Sequence, residues 1–117
     1  MQSKLHPIEQ KVLGYVGLAA KAGALLKGAD AVLDGIARGR VELVLVARDA
    51  GGIADAVARS CRENDVPLLS VVNKAILGRQ LGRESYAVVG LTSRSMAQAI
   101  IRVVDQSQTA EKSGGVS

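Results

Sequence analysis

Residues 28–47 read GADAVLDGIARGRVELVLVA and contain the two patterns that decide the fold. Across 29–37 the apolar residues recur at i, i+3, i+4, i+7 and i+8, which predicts an amphipathic helix that stops at Gly39. The stretch 41–47 is an almost continuous run of β-branched and aliphatic residues. Such a run is typical of a strand covered on both faces. The sheet is therefore expected to lie between two layers of helices.

The same alternation continues on both sides of this stretch. Apolar residues at helical spacing follow Pro7, which suits a first helical turn, and Thr92 or Ser93 can cap the last helix. The predicted helices are 7–22, 28–38, 53–61, 74–81 and 93–105, and the predicted strands are 24–27, 41–47, 67–72 and 86–91. Strands that alternate with helices at this spacing indicate a three-layer α/β/α sandwich with a four-stranded, largely parallel or mixed sheet.

The domain is expected to span residues 7–105. No internal repeat or interior linker divides it, and a domain of this length buries roughly two-thirds of the surface that its unfolded chain exposes. After Asp105 the sequence QSQTAEKSGGVS loses apolar periodicity. Residues 106–117 are therefore predicted to form a flexible tail.

The composition excludes several classes of protein. Of the 117 residues 48% are hydrophobic, but only Tyr15 and Tyr86 are aromatic. A disordered chain would carry fewer apolar residues, and a membrane protein would need an apolar run of about 18 or more residues, which this sequence lacks. Proteins that bind nucleic acid by stacking bases on aromatic rings are excluded as well.

Catalytic and metal-binding groups are sparse. Cys61 is the only cysteine and His6 the only histidine, so we expect no disulfide framework, zinc cluster or Cys-His pair. Cys61 lies on the apolar face of its predicted helix and is expected to be a buried small side chain. Asp30 and Asp34 are four residues apart and could form an acid/base pair, although solvated helix charge is the favoured interpretation. The sequence predicts no enzyme and no cofactor, and the absence of an export signal indicates the cytoplasm.

Two stretches could receive a phosphate group. The loop 49–52 follows a strand and precedes a helix, so Gly51 and Gly52 could present backbone N–H groups. It lacks the glycine-rich phosphate-loop signatures, and a plain loop is the favoured interpretation. At the second stretch, Lys27 and Gly28 stand where a strand passes into a helix. The unpaired amides and the positive dipole of that helix end would then lie beside a cationic side chain.

Most of the excess positive charge lies late in the chain. The net charge is +4 and the isoelectric point about 9.6. Residues 74–94 carry four basic side chains against one acid, Glu84, so this window alone has a net charge of +3. Long basic side chains suit salt-sensitive contact with phosphates, although a solvated basic face is the alternative. The basic residues of the window are Lys74, Arg79, Arg83 and Arg94.

Three stretches of the chain together form a recognisable pattern. They read GLAAKAGALLKGADAVLDGIARGRVELVLVARDA (17–50), VPLLSVVNKAILGRQLGR (66–83) and YAVVGLTSRSMAQAII (86–101). These stretches resemble small bacterial members of the ribosomal protein L7Ae superfamily of kink-turn RNA-binding proteins. The likeness covers about residues 9–105. Its most specific parts are the helix that starts at Gly28, the order of residue types from Ile36 to Asp49, and the Leu77-Gly78 turn followed by Gly82.

The resemblance implies an α/β/α sandwich that binds RNA with one end of the molecule. In the family, RNA contacts come from the start of the second helix, the loop after the central strand, and the loop between the last strand and the last helix. By position, these family contacts correspond to Lys27, Gly28, Ala29, Asp30, Ala31 and Asp34, to Arg48 and Asp49, and to Leu91, Thr92, Ser93 and Arg94. Apart from the family contacts, the basic side chains of Lys74, Arg79 and Arg83 are candidate phosphate contacts.

The chain departs from the family pattern at the helix start. There the family has Gly-x-Asn-Glu-x-x-Lys, whose polar side chains recognise sheared G·A pairs and nearby phosphates. The corresponding asparagine, glutamate and lysine positions are Asp30, Ala31 and Asp34 in this sequence. These changes remove the matched partners of the bases and place a carboxylate near phosphate, which costs on the order of several kcal/mol in specific binding.

The resemblance and the charge distribution together predict a non-enzymatic RNA-binding protein. Its expected partner is ribosomal or other structured RNA, within a ribonucleoprotein that could include ribosomal proteins, and kink-turn specificity is expected to be altered. A protein-interaction module on the same scaffold is the alternative, because the kink-turn motif is damaged. A nucleotide-binding loop at 49–52 is the third hypothesis.

Overall fold

The computed structural model describes residues 5–116, with side chains described as far as Gln106. Five helices alternate with four strands, as the apolar pattern predicted. In chain order they are α1 (Pro7–Lys21), β1 (Leu25–Lys27), α2 (Ala29–Ala37), β2 (Leu43–Ala47), α3 (Ile53–Glu63), β3 (Leu68–Val71), α4 (Lys74–Gln80), β4 (Val88–Leu91) and α5 (Arg94–Val116).

The strands form one mixed sheet in the order β1-β4-β2-β3. Only β2 and β3 pair in parallel, while β4 is antiparallel to both of its neighbours. Because β4 lies between β1 and β2, the first three strands point the same way and the last strand runs against them. The mixed alternative is therefore confirmed, and a largely parallel set of pairings is wrong.

Helices cover both faces of this sheet. Helices α1, α4 and α5 pack on one face through buried side chains that include Val16, Leu77 and Ile100. Helices α2 and α3 pack on the other, where Val32 and Val57 are fully buried. Every residue of β2 is buried, which is what the continuous apolar run predicted for a strand between two layers. The three-layer α/β/α sandwich is confirmed.

The last helix differs from its predicted extent. It begins after Ser93, whose Oγ accepts a hydrogen bond from the amide of Met96 at 3.3 Å, so Ser93 provides the predicted cap. The helical backbone continues beyond Asp105 to Val116, through most of the stretch predicted to be a flexible tail. The flexibility of 106–117 stays a prediction. The side chains of 107–117 and residues 1–4 lie outside the described part of the chain.

Among residues 5–116, no helix combines the length and the apolar character that crossing a bilayer requires.

Candidate nucleic-acid interface

One edge of the sheet collects the segments on which the predicted contacts depend. The carboxyl ends of β1, β2 and β3 lie at this edge, and the amino end of β4 lies there too because β4 runs the opposite way. Hydrogen bonds link the segments to one another. The Ala47 amide donates to the Ala87 carbonyl oxygen at 2.8 Å, and the Arg48 amide donates to that of Val72 at 2.9 Å. We call this edge, formed by residues 27–31, 47–49, 72–74 and 81–87, the carboxyl edge.

Gly28 determines how α2 begins at the carboxyl edge. Its φ of 94° and ψ of 159° lie in a region that is essentially restricted to glycine. Its N–H donates to the carbonyl oxygen of Val88 at 2.9 Å, which fixes the start of the helix against β4. Because Gly28 has no side chain, it cannot cap the amides of Ala29, Asp30 and Ala31. These amides occupy the positive end of the helix dipole, where an anion binds favourably.

The two aspartates of α2 have separate surroundings. Asp34 Oδ2 accepts a hydrogen bond from Arg38 Nε at 2.9 Å, in an exposed pair one helical turn apart. Asp30 is exposed in the first turn, where a carboxylate complements the dipole. Since Asp34 pairs with Arg38 and not with Asp30, the geometry favours solvated helix charge over an acid/base pair. Both carboxylates lie on the helix where the resemblance placed RNA contacts.

Arg48 is anchored to the first turn of α1. Its Nη1 donates to Glu9 Oε2 at 2.7 Å, and the Arg48 side chain remains 60% exposed. This hydrogen bond lowers the pKa of Glu9, burial opposes the shift, and the hydrogen bond from the His6 amide adds to the lowering. Only one of the guanidinium donors is used in this bond, so other N–H groups are available to an acceptor at the carboxyl edge.

Asp49 has a structural partner at the carboxyl edge. Its Oδ1 accepts a hydrogen bond from the Lys74 amide at 2.8 Å, so the loop after β2 is tied to the start of α4. The Lys74 carbonyl oxygen in turn accepts from the Tyr86 amide at 3.1 Å. Lys74 is half-buried and lies between two segments of the edge. This chain of bonds brings the predicted residues Asp49 and Lys74 together.

The segment 81–87 belongs to the carboxyl edge, whereas the sequence predicted a phosphate contact there only at Arg83. It folds back on α4, where the Arg83 amide donates to the Gly78 carbonyl oxygen at 2.8 Å. A Cβ added at Gly78 would collide with the backbone of Ser85, so only glycine allows this approach. The segment presents the exposed side chain of Arg83. The signal was present in the sequence as the Gly78 and Gly82 pair, which the resemblance singled out without a role.

The segment 91–94 lies at the opposite edge of the sheet. Leu91 pairs with Leu25 and Leu43, which are the first residues of their strands, and its side chain is fully buried. Arg94 is 76% exposed and forms an ion pair with Glu42, with 3.6 Å between Nε and Oε1. The expectation that this segment lies at one end of the molecule with Lys27 is therefore wrong, while contact of the segment with RNA stays a prediction. The reason is the reversed direction of β4, which carries Leu91, Thr92, Ser93 and Arg94 away from the carboxyl edge.

The cysteine and the histidine, the other candidate reactive groups, have structural roles. Cys61 is buried, as predicted, and burial raises the pKa of its thiol, which disfavours the nucleophilic thiolate. His6 caps α1 through its Nδ1, which accepts a hydrogen bond from the Ile8 amide at 3.1 Å. Within residues 5–116 no three His, Cys, Asp or Glu side chains are grouped as metal ligands. Arg79, the remaining predicted phosphate contact, is exposed in the last turn of α4.

Comparison with known proteins identifies relatives over nearly the whole domain. Residues 10–101 match the model of the ribosomal protein L7Ae/L30e/S12e/Gadd45 family. The chain is 35% identical over 91 residues to the RNA-binding protein YlxQ of Bacillus subtilis, an alignment that covers 77% of this chain and 91% of that protein. It is also 30% identical over 105 residues to the large ribosomal subunit protein eL8 of Thermoplasma volcanium, with coverage of 85% and 87%.

Solved structures share the architecture. A protein of unknown function from Bacillus halodurans superposes with a TM-score of 0.77 at 30% identity, covering 81% of this chain and 97% of that one. The 15.5kD RNA binding protein of Giardia lamblia superposes with a TM-score of 0.73 at 22% identity, covering 93% and 94%. At that identity the second likeness supports the fold alone.

Proposed function

This chain belongs to the ribosomal protein L7Ae/L30e/S12e/Gadd45 family, and from that premise we propose that it is a non-enzymatic RNA-binding protein whose contact surface is the carboxyl edge. Two of its relatives carry names that support the proposal, an RNA-binding protein and a protein of the large ribosomal subunit. We propose ribosomal or other structured RNA as the target, with ribosomal proteins as neighbours in the complex.

The observation that carries this proposal is the uncapped start of α2 beside Lys27. Gly28 has no side chain to cap the first amides of α2, which lie at the positive end of the helix dipole, and the exposed Lys27 directly precedes it in the chain. Arg48, Lys74 and Arg83 reach the same edge from three other segments. An RNA backbone that crosses this edge would meet donors from four parts of the chain, which is a surface suited to phosphates.

We propose that this RNA binding relies on phosphates more than on base pairs of a kink-turn. Ala31 has no polar group with which to recognise a base, and Asp30 offers only acceptor oxygens when it is ionised. Asp34 carries the charge opposite to the lysine of the family pattern, and its pairing with Arg38 reduces its repulsion of phosphate. Binding of this kind is salt-sensitive and tolerant of sequence.

The test is a binding titration with ribosomal RNA fragments at several salt concentrations. We expect affinity that falls steeply with salt and that drops for Lys27→Glu. Arg94→Glu makes the same charge change at the opposite edge and serves as the matched control. Affinity that does not depend on salt, or no binding to any fragment, would rule out the proposal.

A protein-interaction role is the second candidate, and one apolar side chain favours it. Leu18 on α1 is 55% exposed, and with Lys11, Gly14, Tyr15 and Val103 it lines a cleft of about 600 Å³ between α1 and α5. Leu18, Tyr15 and Val103 form a contiguous apolar lining, and contiguous exposed apolar surface is typical of protein contacts. Capture of a protein that persists after nuclease treatment and is lost with Leu18→Glu, while Lys27→Glu retains it, would favour this candidate.

A further inference from the structure

A cleft lies beside the carboxyl edge, where the ends of α1, β1 and α4 meet. Its volume is about 410 Å³, and its lining includes Lys21, Lys27 and Gln80. We call it the lysine cleft. It shares Lys27 and Leu81 with the carboxyl edge and extends from there onto α1, which contributes none of the residues predicted to contact RNA. The cleft is therefore continuous with the proposed interface but distinct from it.

Small residues of α1 create the space. Gly14, Gly17 and Ala20 follow one another at intervals of three and line the cleft together. A Cβ at Gly17 would come within 3.0 Å of Gln80 Nε2, so the amide of Gln80 lies directly over the backbone of α1. Larger side chains at these positions would close the cleft. Instead, an amide from α4 and the backbone of α1 bound it.

The charge of the lysine cleft is positive. Lys21 and Lys27 are its only charged lining residues within the described chain, and both are exposed. Lys21 lies in the last turn of α1, where the helix dipole favours a cation. The amide of Gln80 adds both a donor and an acceptor. Two ammonium groups and an amide suit a phosphate flanked by a hydroxyl group.

We propose that the lysine cleft holds the sugar-phosphate backbone of the RNA strand that passes Lys27, so that the RNA footprint continues from the carboxyl edge onto α1. This inference rests on the proposed function. The volume is near the lower end of the range of about 300 to 1,000 Å³ that ligand pockets occupy, which suits one sugar and its phosphate. The two ammonium groups favour phosphate oxygens, so we expect the cleft to contribute affinity more than sequence preference.

The experiment compares two identical chemical changes at different places. Gln80→Glu puts a carboxylate into the lysine cleft with almost no change of shape. Gln98→Glu makes the same change on α5, where Gln98 is exposed and is not part of the cleft lining. A third variant, Lys21→Gln, removes one ammonium group from the cleft. Binding of each full-length variant to a ribosomal RNA fragment is titrated at several salt concentrations, and thermal unfolding verifies that each is folded.

We expect Gln80→Glu to weaken binding on the order of fivefold, which is the ratio for one like-charge contact in water. Gln98→Glu should stay within about twofold of the unmodified protein because Gln98 is exposed on α5 and does not line the cleft. Lys21→Gln should reduce the magnitude of the negative slope of log K against log salt by about 0.7 to 0.9, which is the contribution of one phosphate contact.

Other results of this experiment would separate a failure of the cleft inference from a failure of the proposed function. Equal affinities of Gln80→Glu and Gln98→Glu, with an unchanged salt slope for Lys21→Gln, would overturn the inference about the cleft. If Lys27→Glu still weakened binding in that experiment, the proposed function would stand. Absence of RNA binding by the unmodified protein would overturn both.

Discussion

The backbone N–H of Gly28 donates to the carbonyl oxygen of Val88 at 2.9 Å, and this bond joins the start of α2 to the first residue of β4. It links the two features that define the carboxyl edge. One is the glycine conformation that leaves the first amides of α2 uncapped, and the other is the antiparallel direction of β4 that brings the segment 81–87 to the same edge. We therefore expect stability and RNA binding to be coupled at Gly28.

Gly28→Ala is expected to weaken both properties. An alanine at a φ of 94° is strained by about 1 to 3 kcal/mol, and relief of that strain would turn the first amides of α2 away from the edge. Urea unfolding and RNA titration measure the two effects. Gly52→Ala is the control, because alanine adopts its φ of −61° without strain and a Cβ there has no atom within 4 Å, so the substitution should stabilise by about 0.4 to 1 kcal/mol. Unchanged stability of Gly28→Ala would contradict the conformational argument.

Gly78→Ala tests the packing of the segment 81–87 on α4. The added methyl group would collide with the Ser85 backbone, so the segment must move or α4 must shift, at a cost of about 1 to 3 kcal/mol. We expect lower stability in urea and weaker RNA binding, since Arg83 would be displaced. Gly52→Ala is the comparison, because its Cβ has no neighbour within 4 Å. Loss of stability with unaltered RNA affinity would remove the segment from the proposed interface.

The Glu9 and Arg48 pair predicts a dependence of stability on pH. The pKa of Glu9 is lower in the folded protein than in the unfolded chain, because Arg48 donates to its carboxylate. Its stabilisation is therefore present above the unfolded value of about 4.3 and is lost as the pH falls through the folded value. The effect is at most about 1 kcal/mol, since Arg48 is largely exposed. Glu9→Gln should lower the free energy of unfolding at pH 7. In acid, the difference in free energy of unfolding between this variant and the unmodified protein should become smaller. An equal difference at both pH values would refute this linkage.

Restoring the family pattern is expected to restore kink-turn recognition. The triple variant Asp30→Asn, Ala31→Glu and Asp34→Lys recreates the amide, the carboxylate and the ammonium group. We expect it to bind a kink-turn RNA at least about tenfold more tightly than the unmodified chain, because each matched contact contributes about 1 to 3 kcal/mol of discrimination. The control RNA has its G·A pairs replaced by Watson–Crick pairs. An equal gain for both RNAs would show that the change acts through charge alone.

Local features of the sequence were sufficient for most of the fold. The apolar run of β2 and the helical spacing of α2 depend on neighbouring residues, and both elements occur where the pattern predicted them. The direction of β4 depends on pairing with β1 and β2, which are distant in sequence, and short apolar strands do not encode their partners. This one long-range feature accounts for the misplacement of the segment 91–94.

The same distinction applies to the candidate interface. Lys27 and Gly28 were recognisable because a glycine between a strand and a helix has a local conformational meaning. The bond between Asp49 and the Lys74 amide and the pairing of Arg48 with Glu9 join residues 25 and 39 positions apart. Neither contact leaves a periodic signal. The glycines Gly78 and Gly82 signalled the segment 81–87, but its position follows only from the packing of Ser85 on Gly78.

The most direct test of the central claim compares Lys27→Glu with Arg94→Glu in RNA binding at low and high salt. The two variants make the same charge change at opposite edges of one sheet. If RNA crosses the carboxyl edge, Lys27→Glu should weaken binding on the order of tenfold or more and flatten its salt dependence, while Arg94→Glu stays within about twofold of the unmodified protein. Equal losses for the two variants, or a larger loss for Arg94→Glu, would contradict the placement of the interface.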